Sequence, residues 1–318
     1  MKKLTALALV LVLCLSAFSA LADVYSDAGF IKKIPMKPKY TEAVENKGTV
    51  EKLTYTCRAY ALEDQNPGKE IMVEKDLYVY LPYGYSEEQS YNVIYLMHGG
   101  GEDEKYWLTE ERMGKGTVAL LDNINDKGDC EPTIIVTPTT NLGRVLNEED
   151  APKDQRVEGH MWFWKELRED VIPLIETKYA TFAKGDVSEE NLKATREHRA
   201  FAGFSMGSIT GFSVIMHDLD IIAYLGSYSG AKTDAKAFAE ALNAEGFKEL
   251  PFKFWYNGNG NKDIAYEEHR DFCRDVLEMM PERFTDGVNY CWIEFKGGTH
   301  AYNCWLPDLY NCMKVFFR

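Results

Sequence analysis

The sequence is short of positive charge. Its 36 Lys and Arg stand against 50 Asp and Glu, a formal net charge of −14 over 318 residues. A phosphate backbone would be repelled, which excludes nucleic acid as an expected partner. Internal repeats, low-complexity tracts and Pro/Ser-rich linkers are missing, so nothing in the pattern divides the chain into an array or appends a module. After the first two dozen residues no apolar run is long enough to span a bilayer. There is no H-E-x-x-H, no G-x-x-x-x-G-K-[ST] and no G-x-G-x-x-G behind a first strand. The acidic runs Glu102-Asp103-Glu104 and Glu148-Glu149-Asp150 read as solvated faces, and nothing selects a cation for them. No metal and no cofactor is expected.

What is there begins with a targeting signal. Met1-Lys2-Lys3 is a short cationic start, Leu4 to Leu15 is apolar, and Ala20-Leu21-Ala22 is a small-x-small cleavage site. Residues 1–22 are therefore expected to be removed near Ala22 and the product exported, beginning at Asp23. The apolar run is short for an anchor, and bulky Leu13 argues against lipidation of Cys14. Six cysteines remain: Cys57, Cys130, Cys273, Cys291, Cys304 and Cys312. Export permits disulfides without requiring them, so buried free thiols and three bridges both stay open. Cys304 and Cys312 lie too far apart to bridge if the tail is helical. The spacings match no zinc pattern.

Residues 23–49, polar and irregular, read as an N-terminal extension, and residues 50–318 as one domain. Val50 to Leu62 and Glu70 to Leu81 alternate like strands around the turn Asn66-Pro67-Gly68, which predicts an antiparallel hairpin. Continuous apolar runs follow at Asn92–Met97, Thr133–Thr137, Arg199–Phe204, Ile221–Tyr228, Phe252–Tyr256 and Asn289–Phe295. Such runs suit strands buried on both faces. Helical stretches lie at Phe163–Tyr179, Met206–His217, Asp234–Ala244, Ile264–Met279 and Leu306–Phe317. The alternation predicts an α/β protein, a mostly parallel central sheet with helices on both faces. Ligands of such sheets bind at the carboxyl ends of the strands.

The chemistry is expected at those ends. Arg199–Phe204 runs into Gly203-Phe204-Ser205-Met206-Gly207, a G-x-S-x-G elbow. The sharp strand-to-helix turn raises a serine hydroxyl above the sheet at a helix N-terminus, and crowding there demands glycine on both sides. Asn92–Met97 runs into His98-Gly99-Gly100-Gly101, a loop of the HGGG type that offers backbone N–H groups to an oxyanion. Met206 and Gly100 are the expected donors, with His98 structural. The chain order Ser, then acid, then His of this fold leaves His300 as base, after the last strand in Gly297-Gly298-Thr299-His300. His269 falls among Glu267, Glu268, Arg270 and Asp271 and reads as part of a solvated helix face. Asp263 is the expected acid, six residues past Asn257 at a strand end, while Asp234 reads equally as a helix N-cap.

These residues resemble carbohydrate esterase family 1, the feruloyl and acetylxylan esterases related to esterase D. The segments that carry the likeness are YLPYGYSEEQSYNVIYLMHGGG, IIVTPTTN, HRAFAGFSMGS, GNKD and GGTHAYNCW, spread from about Val50 to the C-terminus. The resemblance implies an α/β-hydrolase fold with Ser205 as nucleophile, Asp263 as acid and His300 as base. It implies Trp305 in the substrate pocket and matches Trp107 to the Trp at the end of the HGGG loop. The chain departs from the family at Ser208, where a second Gly is usual, and in the aromatic-rich His160-Met161-Trp162-Phe163-Trp164. Trp107, Trp162, Trp164, Tyr302 and Trp305 would offer stacking surface to a cinnamoyl ring. For the pair at 162 and 164, core or lid packing is the alternative. The expected partner is acylated plant cell-wall xylan, with acetyl removal as the close alternative to feruloyl removal. An acyltransferase and a non-catalytic carbohydrate-binding relative are further alternatives, the last disfavoured by the complete Ser, Asp and His set.

Overall fold

The structure, a computed structural model, describes residues 29–30, 40–152 and 158–318. The expected leader, residues 1–22, lies outside the described residues. Nine strands form one mixed sheet: β1 (Thr49–Arg58), β2 (Met72–Leu81), β3 (Asn92–Met97), β4 (Thr133–Thr137), β5 (Arg144–Val145), β6 (Arg199–Phe204), β7 (Tyr224–Tyr228), β8 (Phe254–Gly260) and β9 (Tyr290–Phe295). The order is β1-β2-β4-β3-β6-β7-β8-β9, with the two-residue β5 paired to β2. β1, β2 and β4 pair antiparallel, and every pairing from β4 to β9 is parallel. This is the expected α/β-hydrolase sheet with its edge hairpin.

The parallel strands separate two cores because side chains alternate across a strand. Val93, Tyr95 and Met97 of β3 face one core, and Ile94 and Leu96 face the other. The first core is covered by α3 (Gly159–Glu166), α4 (Ile172–Lys178), α6 (Met206–Asp218), α7 (Ala235–Leu242) and α8 (Tyr266–Met279); the second by α2 (Gly114–Asp126) and α9 (Tyr302–Met313). Two short helices complete the set, α1 (Tyr60–Gln65) and α5 (Glu189–Ala194).

Several expectations are corrected. The first strand stops at Arg58, and the residues up to Gln65 form α1 instead of continuing it. Phe163–Tyr179 is not one uniform helix: residues Leu167–Val171 form a π-turn between α3 and α4. Pro173 has no N–H and its ring would strike the carbonyl four residues back, and the wider turn relieves both. Helix α9 starts at Tyr302, a turn before the expected Leu306, and carries Pro307 inside it. Helix α2 was not expected. Its glycines and Asn/Asp residues are weak helix formers, yet Thr117, Leu120, Leu121 and Ile124 lie at helical spacing and are buried. Within the expected extension, the segment from Tyr40 to Gly48 is docked on the domain: the Tyr40 ring lies 4.8 Å from Tyr310 and Gly48 N–H donates to Asp122 at 2.8 Å.

The sharpest correction concerns β8. Asn257-Gly258-Asn259-Gly260 does not leave the sheet but completes the strand. Both asparagines are fully buried, and buried amides need partners. Those partners surround His269, which is 0% exposed, not solvated. Its Nδ1 accepts from Gly230 N–H at 3.3 Å and stands 3.2 Å from the Asn259 amide nitrogen, while Nε2 stands 3.1 Å from Asn257 Oδ1. An imidazole accepting on Nδ1 carries its proton on Nε2 and is neutral. Burial pushes its pKa down to about 3. The unfolded chain takes up this proton near pH 6.5, so stability from this residue falls as pH drops from about 6.5 towards 3. His269→Gln should therefore flatten the pH dependence of unfolding free energy over that window by up to about 1.4 kcal/mol per pH unit. Urea titrations at a series of pH values measure it; an unchanged slope would mean that His269 is protonated in the native state.

All six cysteines in the described residues are free, and five of them are buried. Burial pushes the Cys130 thiol up to about 12, which makes even this half-exposed thiol a poor nucleophile. Alkylation of the unfolded protein, followed by mass spectrometry, should give the same number of labelled cysteines with and without prior reductant. Fewer labels without reductant would reveal bridges.

Candidate active site

The elbow is built as the G-x-S-x-G pattern requires. Ser205 sits between β6 and α6 at φ 53° and ψ −117°, a conformation most side chains avoid. Its N–H donates to Tyr228 O at 2.8 Å. A Cβ on Gly203 would come within 2.8 Å of Gly207 C, so the two glycines do crowd each other. Gly207 has a second neighbour: a Cβ there would lie 2.5 Å from the carbonyl oxygen of His98. The elbow is thus wedged against the HGGG loop.

That loop is held by His98, which is buried. Nδ1 stands 2.7 Å from the Gly99 carbonyl oxygen, and Nε2 stands 2.8 Å from Thr139 Oγ1. Asn141 N–H donates to the same hydroxyl at 3.1 Å. One proton arrangement fits: Nδ1–H donates to Gly99, and the Thr139 hydroxyl donates to Nε2. In a trans peptide the C=O and the next N–H point in opposite directions. Fixing the Gly99 carbonyl therefore turns Gly100 N–H away from His98. Gly100 packs beside Met206, at 3.7 Å from its Cβ if a Cβ is placed on the glycine. Below Thr139 a buried chain continues: Lys75 donates to the Thr139 carbonyl and to Glu166, both at 2.8 Å, and the Tyr55 hydroxyl donates to Glu166 at 2.7 Å.

At the ends of β8 and β9 two loops meet. A Cβ on Gly260 would lie 2.3 Å from Gly298 C, and Lys262 N–H donates to Gly298 O at 2.9 Å. This contact sets Asp263 beside His300, with His300 Nδ1 2.8 Å from Asp263 Oδ1. Ala265 N–H donates to the same oxygen at 2.8 Å. The carboxylate is fully covered while the imidazole stays about a quarter exposed. Burial opposes ionisation of Asp263, but the hydrogen bonds from His300 and Ala265 N–H, with the Ser229 hydroxyl nearby, outweigh it and hold the carboxyl below the usual range. Asp234, the rival acid, caps α7 by accepting from Ala237 N–H at 2.8 Å.

Gly100 and Met206 open into a cleft of about 360 Å³, whose other walls include Thr140, Leu142 and His160. Thr140 falls in the IIVTPTTN segment and His160 opens the aromatic-rich run, but neither reads as a site residue, and nothing in the sequence points to Leu142. The expected aromatic contacts are dispersed. Trp107 is 0% exposed, donates to the Met97 carbonyl at 3.2 Å and packs edge-on against Phe204, so it lies in the core and offers no surface to a ligand. Trp164 stacks on His217 at 4.2 Å, at the end of α6 remote from Ser205. Trp162 lines a recess of about 20 Å³ that adjoins this cleft, sharing Thr140, Asn141, Leu142 and Gly159 with it. Tyr302 is tied down through its hydroxyl to Met113 O at 3.1 Å and to Thr117 at 3.0 Å. Trp305 is 7% exposed, stacks on Phe204 at 3.9 Å and meets the His300 ring edge-on at 5.1 Å. No cluster of His, Cys, Asp or Glu among the described residues is arranged to hold a metal ion.

Residues 69–276 match the family model described as "Putative esterase". "Endo-1,4-beta-xylanase Y" of Acetivibrio thermocellus is 30% identical over 89% of this chain. "Endo-1,4-beta-xylanase/feruloyl esterase" of Xylanibacter ruminicola is 30% identical over 54% of it. The chain spans about a quarter of the length of these two relatives, 24% and 23%. Among solved structures, the feruloyl esterase module of Clostridium thermocellum, an S954A mutant complexed with sinapinate, superposes with a TM-score of 0.72 at 29% identity, covering 91% of this chain and 95% of that one. The ferulic acid esterase of Anaeromyces mucronatus, at TM-score 0.64 and 22% identity over 89% and 96% of the two chains, shares the fold. The chain belongs to this esterase family, with feruloyl esterase modules of carbohydrate esterase family 1 as close structural neighbours, and is a carboxylic ester hydrolase.

Proposed function

We propose that the chain is an exported serine esterase that releases hydroxycinnamoyl groups, feruloyl among them, from plant cell-wall xylan. One observation carries the reading: the 2.8 Å Asp263–His300 contact at the strand ends that also carry the strained Ser205. The feruloyl esterase module similar over nearly the whole chain supports the acyl group. The xylanase relatives support the polysaccharide. Export rests on the leader pattern of residues 1–22.

In this mechanism Ser205 Oγ attacks the ester carbonyl and passes its proton to Nε2 of His300, since Nδ1 is committed to Asp263. The carboxylate stabilises the imidazolium that forms. The oxyanion accepts hydrogen bonds from Met206 N–H, free at the first turn of α6, and from Gly100 N–H. Collapse of the tetrahedral intermediate breaks the bond to the sugar oxygen, which takes the proton from His300. Water, deprotonated by His300, then attacks the acyl-enzyme and releases the acid, restoring the Ser205 hydroxyl. The residues present complete this cycle without a cofactor.

Acetyl removal is the second reading. Trp107 and Trp164 are drawn into packing, which leaves the cleft less aromatic than a cinnamoyl site would use. Hydrolysis of methyl ferulate and of acetylated xylan, beside a Ser205→Ala control, separates the two. Ferulate release lost in the control supports the first reading; acetate release alone supports the second. Turnover of neither substrate, or a control that stays active, would overturn the polysaccharide or the nucleophile respectively.

The His98 contact gives a further expectation. His98→Ala frees the Gly99–Gly100 peptide and should lower kcat by up to about 10²–10³-fold, with KM little changed. A change confined to KM would separate His98 from the oxyanion site.

A further inference from the structure

Behind the acid, Ser229 is held in an unusual way. It follows β7 and is fully buried, yet has φ 52°, where glycine would carry no Cβ strain. Both ends of the next residue are fixed. Gly230 N–H donates to His269 at 3.3 Å, and the Gly230 carbonyl accepts from Ser208 Oγ at 2.5 Å. Ser208 is the residue that replaces the second glycine usual after the elbow, so the departure supplies one of these ties. Ser229 N–H donates to Gly258 O at 2.9 Å.

The Ser229 side chain is oriented as firmly as its backbone. Trp305 Nε1–H donates to Ser229 Oγ at 2.9 Å. That contact uses an oxygen lone pair and leaves the hydroxyl proton to give. Asp263 offers the receiver. Its Oδ1 is engaged by both His300 and Ala265, whereas buried Oδ2 has no partner in ordinary hydrogen-bond geometry. Trp305, which holds the Ser229 hydroxyl, also meets the His300 ring at 5.1 Å, and His300 holds Asp263, so the hydroxyl lies in the neighbourhood of this carboxylate and contributes to holding it ionised. An unpaired buried carboxylate oxygen is costly, and the Ser229 hydroxyl has a proton to give it.

We propose that Ser229 is a positioning residue for the acid: its hydroxyl, aimed by Trp305, donates to Asp263 Oδ2 and fixes the carboxylate plane that His300 needs. Trp305 then works through Ser229 and as packing for His300, and not as a platform for substrate. The inference rests on the roles proposed for Ser205, Asp263 and His300.

The test uses Ser229→Gly, which removes the hydroxyl and relieves the backbone, and Trp305→Phe, which keeps a ring over Phe204 and removes only the donor. On methyl ferulate or p-nitrophenyl acetate, Ser229→Gly should lower kcat about ten- to a hundredfold, with KM within about twofold. Trp305→Phe should lower kcat by less. The double variant should cost no more than Ser229→Gly alone, because both changes break one chain of contacts. In proton NMR, the low-field signal of His300 Nδ1–H should shift in Ser229→Gly, a readout that needs no turnover. Wild-type kcat together with an unmoved signal in Ser229→Gly would overturn the proposal. A raised KM at unchanged kcat in Trp305→Phe would return Trp305 to the substrate surface. Failure of the underlying reading looks different: Ser205→Ala would keep the activity of the parent, whatever Ser229→Gly does.

Discussion

The site depends on two places where backbone meets backbone with no room for a Cβ. Gly207 lies against the His98 carbonyl, joining the elbow to the HGGG loop. Gly260 lies against Gly298, joining the loop of Asp263 to that of His300. Each contact fixes the separation of two strand ends through main-chain atoms, which have little freedom once the sheet register is set. Side chains placed on such a frame inherit its precision. A methyl group at either glycine would separate Ser205 from the HGGG loop, or Asp263 from His300, before it touched any of them.

A second layer of order comes from polar groups that burial forces into partnership. His98 is locked between Gly99 and Thr139, and the chain continues through Lys75 to Glu166 and Tyr55. His269 is locked among Gly230, Asn257 and Asn259. These groups gain little net stability, since each exchanged water for protein. Losing one partner would cost much more than the bond contributes. The asymmetry makes both networks stiff, and both end at backbone of the site: one at the peptide of Gly100, the other beside Ser229.

This layering explains how much of the molecule could be read from sequence. Buried parallel strands announce themselves as apolar runs, and β3, β4 and β6 lie where the runs do. The strained turn at Ser205 and the Asp263–His300 contact lie where the G-x-S-x-G pattern and the Ser, Asp, His order predict them, because such patterns set fixed residue types at fixed spacing. What failed was reading polarity as exposure. The run from Asn257 to Gly260 looks like a turn, and His269 with its charged neighbours looks solvated. Each is buried because the other is there, and a pairing between a strand and a later helix leaves no local signature. Helix α2 was hidden for a related reason: its glycines and asparagines lower local propensity, while tertiary burial of Leu120, Leu121 and Ile124 supplies the stability.

The tryptophans follow the same logic. An indole carries a large apolar surface and a single N–H, so it suits a binding face and a tight interior equally well. The distinction lies in where the N–H goes. That of Trp107 reaches the Met97 carbonyl inside the second core, and that of Trp305 reaches Ser229. Both rings also pack on Phe204, the residue just before Ser205. Both thereby brace the elbow.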